Sequence, residues 1–100
     1  MILFNITYSI DPKIEREWLR FMKTEYVPMV KATDLPADAK ILKLLTELDN
    51  GAVTYSFQFF FRAMEEFLTY HHTFADAHQA KVDERFANQY ATFRTLLEEI

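Results

Sequence analysis

The apolar residues of this chain change period four times along its length. In residues 2–10 they alternate, with Ile2, Phe4, Ile6, Tyr8 and Ile10 facing one way and Leu3, Asn5, Thr7 and Ser9 the other. That is the period of a strand. From Asp11 to about Thr33 the spacing becomes three and four, with Ile14, Trp18, Leu19, Phe21, Met22 and Val30 on one stripe, as in a helix with one buried face. Asp11-Pro12 suits the helix start, because Asp caps free N–H groups and Pro has none to lose. Pro28 is expected to kink or end the helix near Tyr26. Alternation returns in residues 39–48 and 52–61, around Asn50-Gly51, a dipeptide that favours a tight type I′ hairpin turn. A two-residue loop would set Leu48 opposite Val53, Thr46 opposite Tyr55, Leu44 opposite Phe57 and Leu42 opposite Phe59. Residues 63–87 read as helix, broken between Thr73 and Asp76, with Met64, Phe67, Leu68, His71, Phe74, Ala75, His78, Val82 and Phe86 on its apolar stripe. The last strand spans about 90–98, where Thr92, Arg94 and Leu96 alternate against Phe93, Thr95 and Leu97.

The order is therefore βαββαβ in a single domain over residues 1–100. Right-handed crossovers turn that order into an α+β ferredoxin-like plait, a four-stranded antiparallel sheet with both helices on one face. The face beneath the helices is expected to carry Ile2, Phe4, Ile6, Tyr8, Ile10, Leu42, Leu44, Leu48, Val53, Tyr55, Phe57 and Phe59. The other face mixes Leu3, Ile41, Leu45 and Phe60 with Asn5, Thr7, Ser9, Lys43, Glu47, Thr54, Ser56 and Gln58. Water does not call for the first group, and a dry core would penalise the second. A homodimer packed sheet to sheet, with a polar or wet layer between, satisfies both.

Composition removes several function classes. The net charge of −4 argues against a nucleic-acid partner, which needs a basic face. With no Cys there are no disulfides, thiolate metal sites or thiol nucleophiles. One Gly leaves no glycine-rich phosphate loop. No apolar run approaches the roughly 20 residues of a membrane span, and the start lacks a basic leader, so a cytoplasmic protein is expected. Tyr55, Phe57 and Phe59 share the core face, so they are not the stacking platform of an RNA-binding plait.

Several segments together carry a resemblance. They are Met1-Ile2-Leu3-Phe4-Asn5-Ile6-Thr7, the Trp18 helix ending in Val27-Pro28, the strand Gly51-Ala52-Val53-Thr54-Tyr55-Ser56-Phe57-Gln58, and the ending from Arg85-Phe86 through Phe93-Arg94-Thr95-Leu96-Leu97-Glu98. Over essentially its whole length the chain resembles a bacterial family of the same size, about 100 residues, classed only as a domain of unknown function. That family looks like part of the dimeric α+β barrel superfamily, in which two plaits form a barrel with pockets between sheet and helices. The superfamily includes cofactor-independent monooxygenases, small isomerases, haem-handling proteins and proteins without known activity. The resemblance implies fold and dimer and does not transfer a reaction. Several relatives carry His-x-Pro where the first helix ends. Here Tyr26 takes that place, and a phenol with a pKa of about 10 is a poor base at neutral pH.

The candidate pocket residues are Trp18, Tyr26, His71, His78, Asn5, Thr7, Gln58 and Arg94. Trp18 and Tyr26, two turns apart, either roof a small-molecule cleft or pack in the core. His71 and His78 fall on one stripe as possible acid/base groups; the other reading is two histidines satisfied at a helix–sheet boundary. His72 and Asp76 have a two-ligand spacing with no third ligand, so no metal and no cofactor are assigned. Asn5, Thr7, Gln58 and Arg94 meet on one sheet face if the last strand has that register. There they would orient a carboxylate or carbonyl, or else set dimer register, with Arg94 paired to Glu47 or Glu98. Three functions stay open: a small, partly apolar ligand bound between helices and sheet, a non-catalytic interaction module, and a cofactor-independent monooxygenase- or isomerase-like enzyme. An amino-acid-sensing plait fits less well, because the first turn, Ser9-Ile10-Asp11-Pro12, holds no Gly.

Overall fold

A computed structural model describes residues 1–46 and 51–100. Strand β1 (Ile2–Ile10) lies at the centre of the sheet. A short 3-10 turn (Pro12–Ile14) follows, then helix α1 (Glu15–Phe21), a π-helical turn (Met22–Tyr26) and helix α2 (Val27–Lys31). Strands β2 (Asp38–Lys43) and β3 (Val53–Phe61) come next. Helices α3 (Met64–Thr73) and α4 (Ala75–Phe86) precede β4 (Tyr90–Glu98). The sheet order is β2-β3-β1-β4 and every neighbouring pair is antiparallel. This is the ferredoxin-like plait.

Local chemistry sets the helix ends. Asp11 caps the first turn by accepting from Lys13 N at 2.9 Å, with Pro12 at the first position. Pro28 does not end the helix. The Val27 N–H reaches Met22 O, one residue further back than in an α-helix, and Pro28 then falls in the first turn of α2, where a missing N–H is best tolerated. The second long helix breaks at Phe74, as its pattern predicts.

The core is aromatic. Trp18 is fully buried and meets Tyr8, Tyr55 and Phe57 at ring-centroid distances of 5.3, 5.3 and 5.5 Å. Tyr8 also packs on Phe57 and Tyr90 at 5.1 and 5.6 Å. Such tilted and edge contacts add to area burial by roughly 0.5–1.5 kcal/mol each. Tyr55, Phe57 and Phe59 are all core, as their phase predicts. The α3–α4 stripe differs from expectation: Tyr70 is buried, while Met64 and Leu68 are exposed and His71 lies at the surface, stacked on Phe67.

Strand β2 is the main correction. Its register is Ile41 opposite Phe57 and Leu42 opposite Ser56, three residues away from the expected pairing. An odd shift exchanges the faces. Ile41 and Ala39 pack against the core, whereas Leu42 and Leu44 are 46% and 43% exposed. Lys43 moves to the helix side, opposite Tyr55, and Leu45 lies beyond the strand end. Among the described residues β2 ends at Lys43 and β3 begins at Val53. Leu48, Glu47 and Asn50 lie outside the described residues. The segment Ile41-Leu42-Lys43-Leu44-Leu45 is apolar in both phases, so alternation alone does not choose between them. A surface triad accompanies the observed phase. Glu15 accepts from Tyr55 Oη at 2.6 Å and pairs with Lys43 Nζ at 2.9 Å, joining α1 to β2 and β3.

Two predictions follow from this packing. Ile41→Ala should cost about 2 kcal/mol, the low end for a core aliphatic because the site is only half-buried, and Leu42→Ala less than about 0.5 kcal/mol. Urea titration of the two variants at one protein concentration measures this, and equal losses would reject the register. The Glu15 carboxyl is held below its ordinary value of 4.5 by the Tyr55 hydrogen bond first and Lys43 second. A depressed carboxylate adds stability above its unfolded pKa and loses it as pH falls through its folded one. The urea midpoints of wild type and Glu15→Gln should therefore differ at pH 7 and converge below about pH 4.

Candidate functional site

One cleft opens between the helices and the inner face of the sheet. Its volume is about 240 Å³. Phe4 and Ile6 of β1 form a buried floor. Tyr26 enters from the end of the π-helical turn and Tyr70 from α3, both buried. Ala75, Asp76 and Gln79 of α4, His71 of α3 and Arg94 of β4 complete the lining. The register explains Arg94: it lies opposite Ile6, and Ile6 faces inward. The π turn explains Tyr26, because one extra residue in a helical turn rotates all that follows it.

Arg94 is oriented by a chain of hydrogen bonds. Its Nη2 donates to Gln79 Oε1 at 3.1 Å. Gln79 Nε2 donates to Tyr90 Oη, which donates to Asp83 Oδ1. Among the described residues, no carboxylate lies within ion-pair distance of the guanidinium.

Four phenols surround this charge. Burial pushes Tyr26 up to about 12, against the opposing pull of the Tyr8 hydroxyl, Arg94 and the Tyr70 hydroxyl. Burial likewise raises Tyr8, Tyr70 and Tyr90, and Arg94 moderates each. At neutral pH all four are neutral hydroxyls and none is a base. Tyr70 Oη lies 2.8 Å from His78 Nδ1. Burial lowers the pKa of His78, so its imidazole is neutral there too and shares a hydrogen bond with the phenol. The Tyr8 and Tyr26 hydroxyls are close enough to influence one another, yet Tyr8 Oη completes no hydrogen bond although its side chain is 0% exposed. Trp18 Nε1 is likewise unpartnered.

The sequence candidates divide into three groups. Tyr26, His71 and Arg94 line the cleft, with His78 behind Tyr70. Trp18 is in the core beside Tyr8 and does not line the cleft. Asn5, Thr7 and Gln58 sit on the outer face, where they share a ladder with Ser56: Asn5 Nδ2 to Thr7 Oγ1 at 3.1 Å, Ser56 Oγ to Asn5 Oδ1, and Gln58 Nε2 to Ser56 Oγ at 3.3 Å. The expected meeting of Arg94 with these three is thus corrected. Thr95 and Phe93 are opposite Asn5 and Thr7, and Arg94, between them, faces the other way. Tyr70 and Gln79 were not among the candidates. Tyr70 had a legible signal, four residues before Phe74 and eight before His78; Gln79 had none. Among the described residues no three His, Cys, Asp or Glu side chains gather as a metal site, so His72 and Asp76 gain no third ligand.

The two buried hydroxyls give opposite predictions. Tyr8→Phe should leave stability unchanged or raise it by up to about 1 kcal/mol, since it removes an unpaired polar group. Tyr70→Phe should cost about 1–3 kcal/mol by orphaning His78 Nδ1. Urea titration decides, and a clear loss in Tyr8→Phe would mean that its hydroxyl is bonded in solution.

The fold has solved counterparts. An ethyl tert-butyl ether d (ethd) family protein from Bacillus halodurans superposes with a TM-score of 0.72 at 11% identity, covering 100% of both chains. HapK from Hahella chejuensis gives 0.72 at 7% identity, over 100% of this chain and 93% of its own. A de novo designed protein with ferredoxin fold gives 0.53 at 18% identity, over 100% and 88%. At these identities the likeness is one of fold. No helix among the described residues is long and apolar enough to cross a membrane. A comparison with curated protein sequences finds no match. The family described as "Domain of unknown function (DUF4286)" matches residues 1–100, and the chain belongs to it.

Proposed function

We propose that this chain is a cytoplasmic homodimer that binds a small, partly apolar molecule in the cleft between helices and sheet. The observation that carries the reading is the cleft itself: a buried apolar floor, phenol hydroxyls at its inner end and one oriented cation at its rim. Apolar walls with a few convergent polar groups are the usual composition of a small-molecule site.

The dimer reading rests on the outer face. Across the sheet its rows are Asp38, Phe60, Leu3, Leu97; then Lys40, Gln58, Asn5, Thr95; then Leu42, Ser56, Thr7, Phe93. Polar Asn5, Thr7, Ser56 and Gln58 thus hold the middle of this face, with Leu3, Phe60 and Leu97 in the first row and Leu42 and Phe93 at the two ends of the third. Phe93 is 64%, Leu97 48% and Leu42 46% exposed, and large apolar side chains left open in this way favour a partner surface over water. The occupant we favour is a second copy, by resemblance to the dimeric α+β barrel superfamily. The polar middle row then sets the register of the two sheets.

A second reading is proton-transfer chemistry in the same cleft. It is favoured by the 2.8 Å contact of Tyr70 with His78, which ties a lining hydroxyl to a neutral imidazole. His78 would be the acid/base and Tyr70 its relay, with Tyr26 and Arg94 orienting the substrate.

Native mass spectrometry of the purified protein tests the first reading. The expected result is a species of twice 11.9 kDa that carries an extra small mass or accepts one from a fragment mixture. Phe93→Asp should convert it to monomer with an unchanged circular dichroism spectrum. A wild-type monomer at micromolar concentration would refute the dimer.

A further inference from the structure

The polar groups of the cleft are arranged as donors around a positive charge. This argument rests on the reading that the cleft is a binding site. Arg94 uses Nη2 on Gln79, and its remaining N–H groups have no ion-pair partner among the described residues. The Tyr26 hydroxyl lines the cleft and is kept protonated by burial. Tyr8, fully buried next to Tyr26, has an unpartnered hydroxyl. Asp76 is the one carboxylate in the lining, and it is solvent-exposed on the first turn of α4. His71 on the rim is exposed too. The inner part of the cleft thus offers phenol hydroxyls, its rim offers a cation, and the floor offers Phe4 and Ile6.

We propose that the ligand is a small carboxylate with an apolar, ring-sized body, its oxyanion seated toward Arg94 and the Tyr26 hydroxyl and its body over Phe4 and Ile6. A planar guanidinium matches a carboxylate better than any other common anion-binding side chain does, because two parallel N–H groups meet two oxygens. The size agrees. An apolar cavity of about 150 Å³ accepts benzene, so about 240 Å³ takes a ring with a short acidic arm. A neutral ligand of the same shape would leave the guanidinium without a counter-charge.

The test uses the full chain, labelled with ¹⁵N, and the matched probes phenylacetate and phenylacetamide. Amide shifts of Tyr26, Tyr70 and Gln79 and the Arg94 Nε–H signal are followed up to about 10 mM, ten times the Kd of a millimolar binder. The expected result is that phenylacetate binds at least tenfold more tightly than the amide, that Arg94→Gln removes the difference and that Arg94→Lys keeps part of it. Arg94 is exposed on an edge strand, so these variants should retain the wild-type spectrum; if one does not fold, the acid–amide comparison in wild type decides alone. Equal binding of both probes in the cleft would overturn the carboxylate assignment and leave the binding site standing. No shift of the lining residues with either probe would overturn both.

Discussion

Strand β1 pairs along its whole length with β3 on one side and β4 on the other, and nearly everything else in the molecule follows from that double pairing. In an antiparallel ladder, opposite residues share a face. The alternation of β1 therefore imposes its parity on both neighbours. Ile6 faces inward, so Phe57 and Arg94 do as well. Asn5 faces outward, so Gln58 and Thr95 do as well. One strand with a clear hydrophobic phase thus decides which chemistry enters the core, which lines the cleft and which is left on the outer face.

The two faces then have different tasks. Inside, Tyr8, Trp18 and Phe57 fill the centre with interlocking rings, and the apolar packing thins toward β4, where Arg94 and the tyrosine hydroxyls replace it. The cleft lies at that boundary. Burial there raises the phenols and lowers His78, which keeps every one of these groups neutral beside a single fixed cation. Outside, Asn5, Thr7, Ser56 and Gln58 share three hydrogen bonds among themselves, so a covering surface would not need to supply a partner for every polar group.

Much of this was legible before any tertiary contact. The phases of β1 and β3, the Asp11 cap and the break at Phe74 follow from side-chain period and turn chemistry, and the order of elements leads to the plait. Three features were not legible. β2 is apolar in both phases, so its register depends on which residues reach α1, and Lys43 with Tyr55 and Glu15 accompanies the choice made. The π turn depends on how the helix accommodates Pro28 while keeping Trp18, Met22 and Tyr26 buried together. The cleft is assembled from five elements, and spacing along one chain does not express distance between elements.

The sequence by itself determined the architecture and the inward faces of β1 and β3, because hydrophobic period is a local property that each segment carries alone. Only the tertiary structure decided the site. Arg94, Tyr26, Tyr70 and Gln79 belong together because strand parity, one π turn and a helix break bring them to the same inner edge of the sheet, and each depends on pairing and packing between segments distant along the chain.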